Sequence, residues 1–582
     1  MSDYQPQLDD VQFILQQVLQ APERIAQMPA FAEVDADLMA QILDESGKFI
    51  AEQIAPLNRT GDEVGAKWKD GAVTMPPGFK DAYQAFWQAG WASLTTSPDD
   101  GGQGLPAVLE SVLYEWLSAA NHGWTMAPGL LHGAYECIKH HASDELKVQY
   151  LSKVGTGEWL ATMCLTEPHA GSDLGLASTK AVPQADGSFA ISGTKIFISG
   201  GEHDLTDNIV HLVLARLPDA PPGPKGLSLF LVPKFYANGE KESWVRSAVH
   251  CERIEEKMGI HGSPTCVMRF DEARAWLVGE VGRGLNAMFV MMNAARLHVA
   301  LQGVGLLDAA WQKAHAYAHE RRQMRAPRSK GASHNMAGEK GSAPADLIID
   351  HPAMRRILDT QRAWIDGGRV LAYETGLALD EAKHHPDAAH REAAQRWCAL
   401  ITPILKAAWT DQGFHGASEC LQVFGGHGYV SEWGIEQNVR DARIAMIYEG
   451  TNEIQAIDLL MRKVVSDGGT ALNAMLDALT APLSDAGHEA QVKHLFAQLR
   501  DVTHACVQTS AQADGAVRLS WIAGDYLRLA TLALLAWAWT RIERAPGANQ
   551  TRWQMPAHAL RAWVLPEFGM RAQIVQQQLA TA

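Results

Sequence analysis

No C-x-x-C pair occurs among the seven cysteines (Cys137, Cys164, Cys251, Cys266, Cys398, Cys420 and Cys506). The usual zinc and dithiol motifs are therefore excluded, and the thiols read as free groups of a reducing compartment. No apolar run approaches the ~20 residues that cross a bilayer; the longest, Leu529 to Trp539, falls well short. The first residues, Met1 to Asp10, carry acid and no apolar core, which predicts no secretory signal and a cytoplasmic chain. No biased tract argues for disorder: 47% of the residues are hydrophobic and 20% charged, as in an ordinary globular protein. Positive charge is short. Fifty Lys and Arg against 66 Asp and Glu leave a net charge of −16. That balance argues against a surface built for nucleic acid or anionic lipid, and any polyanionic ligand must be met by a local basic pocket. No G-x-S-x-G element points to a serine hydrolase. The pairs His140-His141 and His384-His385 are adjacent, so a helix points their rings in different directions and metal catalysis finds no support.

What is present is a long chain of 582 residues, for which three or four domains are expected. Residues 1–160 read as a helical domain, with Val11, Ile14, Leu15 and Val18 on one helical face and Phe86, Trp87 and Trp91 on another. The run Ser97-Pro98-Asp99-Asp100-Gly101-Gly102 is a strong turn. Gly102 to Ala107 nominally fits a dinucleotide G-x-G-x-x-A pattern, but it lacks a preceding strand and contains Pro106. Over 161–280 the period becomes alternating. Phe189–Ile191, Ile196–Ile198, Ile209–Leu214, Leu227–Val232 and Cys266–Phe270 read as short strands, with a hairpin turn at Asp186-Gly187. Strands without intervening helices predict a small antiparallel barrel or sandwich. Helical spacing returns at Leu285, Met288, Phe289 and Met292, and 281–465 reads as a helical domain interrupted by a Gly/Ser/Ala/Lys-rich surface loop at 325–344. Beyond Asp467-Gly468-Gly469, residues 466–582 form a further helical domain. The fold class is α+β, in the order helices, strands, helices, helices.

Four segments carry chemistry. Met163 to Asp173 (MCLTEPHAGSD) is a turn whose backbone N–H groups can meet the edge of a heterocycle or a phosphate. Lys195 to Gly201 (KIFISGG) is a strand ending in two glycines, with Phe197 free to lie on a ring or to join the core. Gln422 to Tyr429 (QVFGGHGY) has three glycines in four positions, which lets backbone approach a ligand closely. Asp441 to Gln455 (DARIAMIYEGTNEIQ) ends an apolar run with Glu449, and Thr451 caps a helix running to about Val465. The helix end lowers the pKa of Glu449 and its apolar neighbours raise it. Taken singly, these segments also fit an ordinary loop, a core strand, a tight turn and a solvated glutamate.

In this order, however, they resemble the acyl-CoA dehydrogenase family over roughly residues 81–465. Thr166-Glu167-Pro168-x-Ala170-Gly171-Ser172-Asp173 resembles the family's first signature, and Tyr448-Glu449-Gly450-Thr451 with Ile454-Gln455 its second. Gly90-Trp91, the Gly101–Pro106 turn and Lys257-Met258-Gly259-Ile260 agree. The resemblance implies an acyl-CoA dehydrogenase-like fold: an N-terminal helical domain, a middle β-barrel domain, a C-terminal four-helix bundle and, here, an extra C-terminal helical domain. It implies FAD bound between the last two family domains. Met163, Leu165, Thr166, Phe197, Ile198 and Ser199 are expected to line the isoalloxazine. Thr451 and Glu453 are expected to bind the same FAD, and Arg321, Gln323, Gln422, Gly425 and Gly426 that of a neighbouring subunit. Ser172, Arg296, Tyr448 and Gly450 are expected at the acyl-CoA substrate. Glu449 is implied as the base that takes the α-proton while flavin N5 accepts the β-hydride, giving a trans-2-enoyl-CoA.

A cofactor shared across subunits implies a homo-oligomer. The family further implies an electron-transfer flavoprotein as acceptor in fatty acid β-oxidation. Two departures stand out: the helix near Asn293 lacks the acidic residue of medium-chain relatives, and the extension after 466 resembles a longer subgroup. That subgroup includes 3-methylmercaptopropionyl-CoA and several fatty acyl-CoA dehydrogenases, and its added domain favours a dimer over a tetramer. An acyl-CoA oxidase shares the same motifs. A non-catalytic acyl-CoA-binding protein would need neither Glu449 nor the FAD-facing residues.

Overall fold

The computed structural model describes residues 4–237, 244–327 and 345–580; most of the loop read at 325–344 lies outside these. The N-terminal part is built of helices around α1 (Ala107–Thr125), which is buried along nearly its whole length and breaks at Asn121 (φ −158°, ψ 89°). A two-stranded hairpin, Lys67–Lys69 with Ala72–Thr74, interrupts the helices. Its turn is Asp70-Gly71, both with positive φ, a pairing that matches the twist of hairpin strands.

Among the described residues, the main sheet of the middle part has seven strands: β1 (Leu160–Cys164), β2 (Lys180–Pro183), β3 (Phe189–Ser199), β4 (Ile209–Arg216), β5 (Leu227–Pro233), β6 (Val249–Ile254) and β7 (Thr265–Val278), and a small separate hairpin pairs Phe235–Ala237 with Trp244–Arg246. The ladder runs β7–β3–β2–β4–β5 and returns from β5 to β7, so the sheet closes into a barrel, with β6 added on β7 and β1 on β4. The pairing is not wholly antiparallel as the sequence pattern predicts: β4 runs parallel to both β1 and β2. The apolar run of β4, Ile209 to Ala215, is buried throughout, as a strand covered on both faces requires. The sequence segments 189–191 and 196–198 are one strand, which stays paired to β7 across two register shifts.

The next part is a bundle of α2 (Gly284–Glu320), α3 (Pro352–His384), α4 (Ala388–Val423) and the shorter α5 (Ile435–Ala442) and α6 (Asn452–Ile457). Helices α2 and α4 cross with their backbones in contact. A Cβ on Gly303 would lie 2.3 Å from the Trp409 carbonyl oxygen, and one on Gly413 would lie 2.9 Å from that of Gly303. This close crossing brings Arg296 of α2 and Lys406 of α4 to the same region of the bundle.

Five further helices follow: α7 (Thr470–Thr480), α8 (Gly487–Ser510), α9 (Gly515–Arg544), α10 (Thr551–Ala559) and α11 (Pro566–Ala580). Helix α9 is long and apolar enough to cross a membrane, yet 72% of its most apolar window is buried within the protein. It packs along α3, where Trp539 Nε1 donates to the Ala363 carbonyl (2.9 Å) and Arg541 pairs with Glu374 (2.6 Å).

A buried ionic network ties these parts together. Arg369 of α3 lies 2.7 Å from Glu115 of α1 and 2.9 Å from Asp308 of α2, with all three side chains at zero exposure. Arg362 joins Asp308, Asp366 and Asp10 (3.2, 3.0 and 2.5 Å), and Arg552 of α10 closes onto Asp366 and Asp10 (both 2.8 Å). Tyr373 donates to Glu115 at 2.5 Å.

Candidate active site

The chain reaches Glu449 through a short helical turn, Arg443–Met446. Glu449 then adopts a left-handed conformation (φ +56°), followed by Gly450 (φ +86°). A left-handed residue carrying a side chain is strained and persists only where its surroundings hold it. Thr451 follows as the N-cap of α6, its Oγ1 accepting from Ile454 N–H, and the helix continues in a π-turn to Val464.

The turn is gripped from several sides. Gln455 Nε2 donates to the Glu449 carbonyl (3.2 Å). Lys406 Nζ donates to the Gly450 carbonyl (2.7 Å) and to Asn452 Oδ1 (3.0 Å). The Tyr448 hydroxyl donates to Gln302 Oε1 of α2 and lies 3.4 Å from Nε2 of His122 at the end of α1. The Glu449 backbone N–H finds no acceptor among the described residues.

Glu449 keeps some contact with solvent, but the protein packed around it pushes its carboxyl up to about 7, against the opposing pull of Arg296 and Lys406. A carboxylate held near neutrality beside two cations is poised to take and hold a proton. The sequence left the contest between helix end and apolar surroundings open; burial wins.

The other candidate residues fall into three groups. Near Glu449 are Tyr448, Gly450, Thr451, Glu453 on the exposed first turn of α6, and Arg296. Arg321 and Gln323 are exposed at the far end of α2, roughly 37 Å along the helix from Arg296 at 1.5 Å per residue. Gln422, Gly425 and Gly426 lie at that same end of the bundle. Tyr317, one turn before Arg321, stacks on Phe424 (4.3 Å) and bonds His427 Nδ1 (2.9 Å). A Cβ on Gly425 or Gly426 would meet nothing within 4 Å, and Gly425 has φ +58°, so this corner presents bare backbone to a ligand.

On the barrel, Met163 and Ile198 are buried, Leu165, Thr166 and Ser199 are half-buried, and Ser172 is exposed. Phe197 is 60% exposed in a left-handed conformation (φ +60°). Such a ring, held outward at a strained position, fits a flat heterocycle laid against it. The Met163–Asp173 turn is fixed by a buried pair, Lys195 Nζ to Glu167 Oε1 at 2.8 Å. Glu167 also accepts from Ser178 and Thr179, and these bonds with Lys195 hold its carboxyl down to about 2 against the cost of burial.

Sequence reading missed Lys406, Gln302, His122 and the Lys195–Glu167 clamp. Lys406 left one trace: it is the lone charge in the apolar stretch Ala399–Trp409.

Among known proteins, three family models match this chain: the N-terminal domain of acyl-CoA dehydrogenases over 39–158, the middle domain over 162–273 and the C-terminal domain over 341–464. The chain is 41% identical to the 3-methylmercaptopropionyl-CoA dehydrogenase of Ruegeria pomeroyi, covering 100% of this chain and 95% of that one. It is 36% identical to the broad-specificity linear acyl-CoA dehydrogenase FadE5 of Mycobacterium tuberculosis over 81% of this chain and 77% of that one. Its fold is similar to the crystal structure of an acyl-CoA dehydrogenase complexed with FAD from Bacillus anthracis (TM-score 0.74, 20% identity, covering 96% and 91%).

Proposed function

The chain belongs to the acyl-CoA dehydrogenase family and is an FAD-dependent enzyme of that kind, and from that premise we propose that Glu449 is the base that opens the acyl-CoA. The observation that carries this reading is the meeting, at one residue, of a strained left-handed turn, a carboxyl pushed up to about 7 and two flanking cations. An α-proton of a simple thioester is too weakly acidic for a carboxylate in water to remove. A desolvated carboxylate is a stronger base, and a donor aimed at the carbonyl oxygen stabilises the developing enolate. The free Glu449 N–H is the donor this chain offers. Tyr448, tethered to Gln302, supports one wall beside the carboxylate. Bound FAD supplies the oxidation by accepting the β-hydride, so that the product is a trans-2-enoyl-CoA.

Phe197, Thr166, Leu165 and Ser199 offer the ring face for the cofactor, with Met163 and Ile198 packing behind, and Thr451 and Glu453 complete its site. The separate corner formed by Arg321, Gln323, Gln422, Gly425 and Gly426 would meet the FAD of a second copy, which makes the working unit a homo-oligomer, and the added C-terminal domain favours a dimer. Ser172 and Arg296 line the route of the CoA thioester. The whole-length relative supports 3-methylmercaptopropionyl-CoA as substrate, and the linear acyl-CoA relative keeps fatty acyl-CoA beside it; a substrate panel on the purified yellow protein ranks them. The seven free cysteines suit a reducing cytoplasm.

Two outcomes are expected. Because the base must be ionised in the free enzyme, kcat/KM rises with pH through a midpoint near 7 and falls away below it. A flat profile between about pH 5.5 and 8.5 would contradict a base held at that value. Electrons are expected to leave to an electron-transfer flavoprotein. After anaerobic reduction by substrate, mixing with that acceptor reoxidises the flavin fast and mixing with air slowly. Fast reoxidation by air with stoichiometric hydrogen peroxide would make the protein an oxidase.

A further inference from the structure

Lys406 lies on α4 with its side chain wholly out of solvent. Its ammonium is met by three neutral oxygens: the Gly450 carbonyl at 2.7 Å, Asn452 Oδ1 at 3.0 Å and the Met446 carbonyl at 3.4 Å. A buried ammonium held without a direct carboxylate contact is costly, and an apolar side chain would fit this apolar helix face at less cost. The three oxygens bracket the Glu449–Gly450 turn, one before it, one within it and one after. Asn452 is itself fixed to α4, accepting from Thr410 Oγ1 (3.1 Å) and donating to the Ala407 carbonyl (3.1 Å). Helix α4 thus holds the strained turn through the Lys406 cation and through Asn452.

We propose that Lys406 is the positioning residue of the site: its ammonium sets the left-handed Glu449–Gly450 turn so that the carboxylate faces the α-carbon, and its charge favours the ionised base. This rests on Glu449 being that base. The charged groups facing Glu449 are Arg296 from α2 and Lys406 from α4, and Glu453 of α6 faces Lys406 in turn. Tyr448 is kept neutral by burial, as is His122 from α1, pushed down to about 4. Of the two cations, Lys406 is the one that hydrogen-bonds the backbone of the turn; the Arg296 guanidinium reaches Asn293 Oδ1 at 3.4 Å. Burial lowers Lys406 to about 7, against the opposing pull of Glu449. Removing the cation raises the pKa of Glu449, and the rising limb of the pH profile moves to higher pH.

The test uses the FAD-loaded enzyme and two variants. Lys406→Met removes both charge and hydrogen bonds; Lys406→Gln removes the charge and keeps an N–H donor. Lys406→Met is expected to hold flavin, to lose roughly 10²-fold in kcat with a much smaller change in KM, and to shift the rising limb upward by at least about half a unit. Lys406→Gln is expected to recover part of kcat while keeping the shifted limb. Wild-type limbs with kcat within about twofold, less than one tenth of the loss expected from misplacement, would overturn the proposal. Should Lys406→Met fail to hold flavin, the limb of Lys406→Gln decides alone. Loss of flavin and of cooperative unfolding in both would make Lys406 a structural residue and equally overturn it. If Glu449→Gln itself turns over normally, the base is misassigned. If Glu449→Gln is dead and the lysine variants are normal, only the positioning role has failed.

Discussion

Glu449→Gln is expected to keep its FAD and its ligand and to lose turnover by at least ~10²–10⁴-fold, the usual worth of a positioned base. The substitution is close to isosteric. The amide meets the same left-handed backbone, so the turn held by Gln455 and Lys406 stays in place. What disappears is the carboxylate that burial pushes up to about 7. Flavin content, thermal unfolding and anaerobic flavin bleaching by acyl-CoA separate the cases. Normal flavin with no bleaching supports the assignment. Bleaching at a near-normal rate would place the base elsewhere.

The second large effect is on stability. Arg369→Met is expected to destabilise the fold by about 3–5 kcal/mol, because it leaves Glu115 and Asp308 buried without their shared cation. Asp308 retains Arg362, but among the described residues Glu115 retains only the Tyr373 hydroxyl, and burial already pushes its carboxyl above the usual range. Methionine fills the volume of the aliphatic stem, so the loss is electrostatic rather than a cavity. Replacing Glu115 by Gln as well should restore part of the loss, since the orphaned charge is then gone. Denaturant unfolding of the single and double variants measures the difference. A single variant within about 1 kcal/mol of wild type, the range of an exposed pair, would mean that water reaches the network. With the Arg362 and Arg552 pairs, this network joins α1, α2 and α3 to α10 and to Asp10 in the helix Leu8–Phe13, so the unfolding transition is expected to remain cooperative across these parts.

How much of this was legible varies with the range of the interaction. The barrel showed itself because β4 and β5 are short apolar runs and Asp186-Gly187 closes the β2–β3 hairpin, where Gln184 N–H bonds the Ser188 carbonyl at 2.8 Å. Thr451 was legible as an N-cap because capping is settled within three residues. The Lys67–Thr74 hairpin escaped because its strands are three residues long and lie among helices, although Asp70-Gly71 announced the turn. β6 escaped because its polar residues His250, Glu252 and Arg253 leave little apolar signal and its alternation breaks at a register shift between Cys251 and Arg253. Parallel pairing of β1 with β4 joins residues some fifty positions apart, and no local pattern encodes it.

At the site, the ordered motifs pointed to Glu449 and Tyr448. They could not show that Gln302, 146 positions away, receives the tyrosine hydroxyl. Nor does a helical pattern show what Lys406, Arg362 and Arg369 meet. Only the close crossing of α2 on α4 and the packing of α9 along α3 bury them. Buried charge is a property of how helices meet, not of any one helix.

The central claim, that Glu449 removes the α-proton, is tested most directly by isolating that step from oxidation. An acyl-CoA with α-hydrogens and no β-hydrogens, such as 3,3-dimethylbutyryl-CoA, is incubated with the FAD-loaded enzyme in deuterated water and followed by mass. Deuterium should enter the α-position with the wild-type enzyme, with a rate that rises through pH ~7 as the base ionises, and should not enter with Glu449→Gln. Exchange at the wild-type rate in Glu449→Gln would contradict the account.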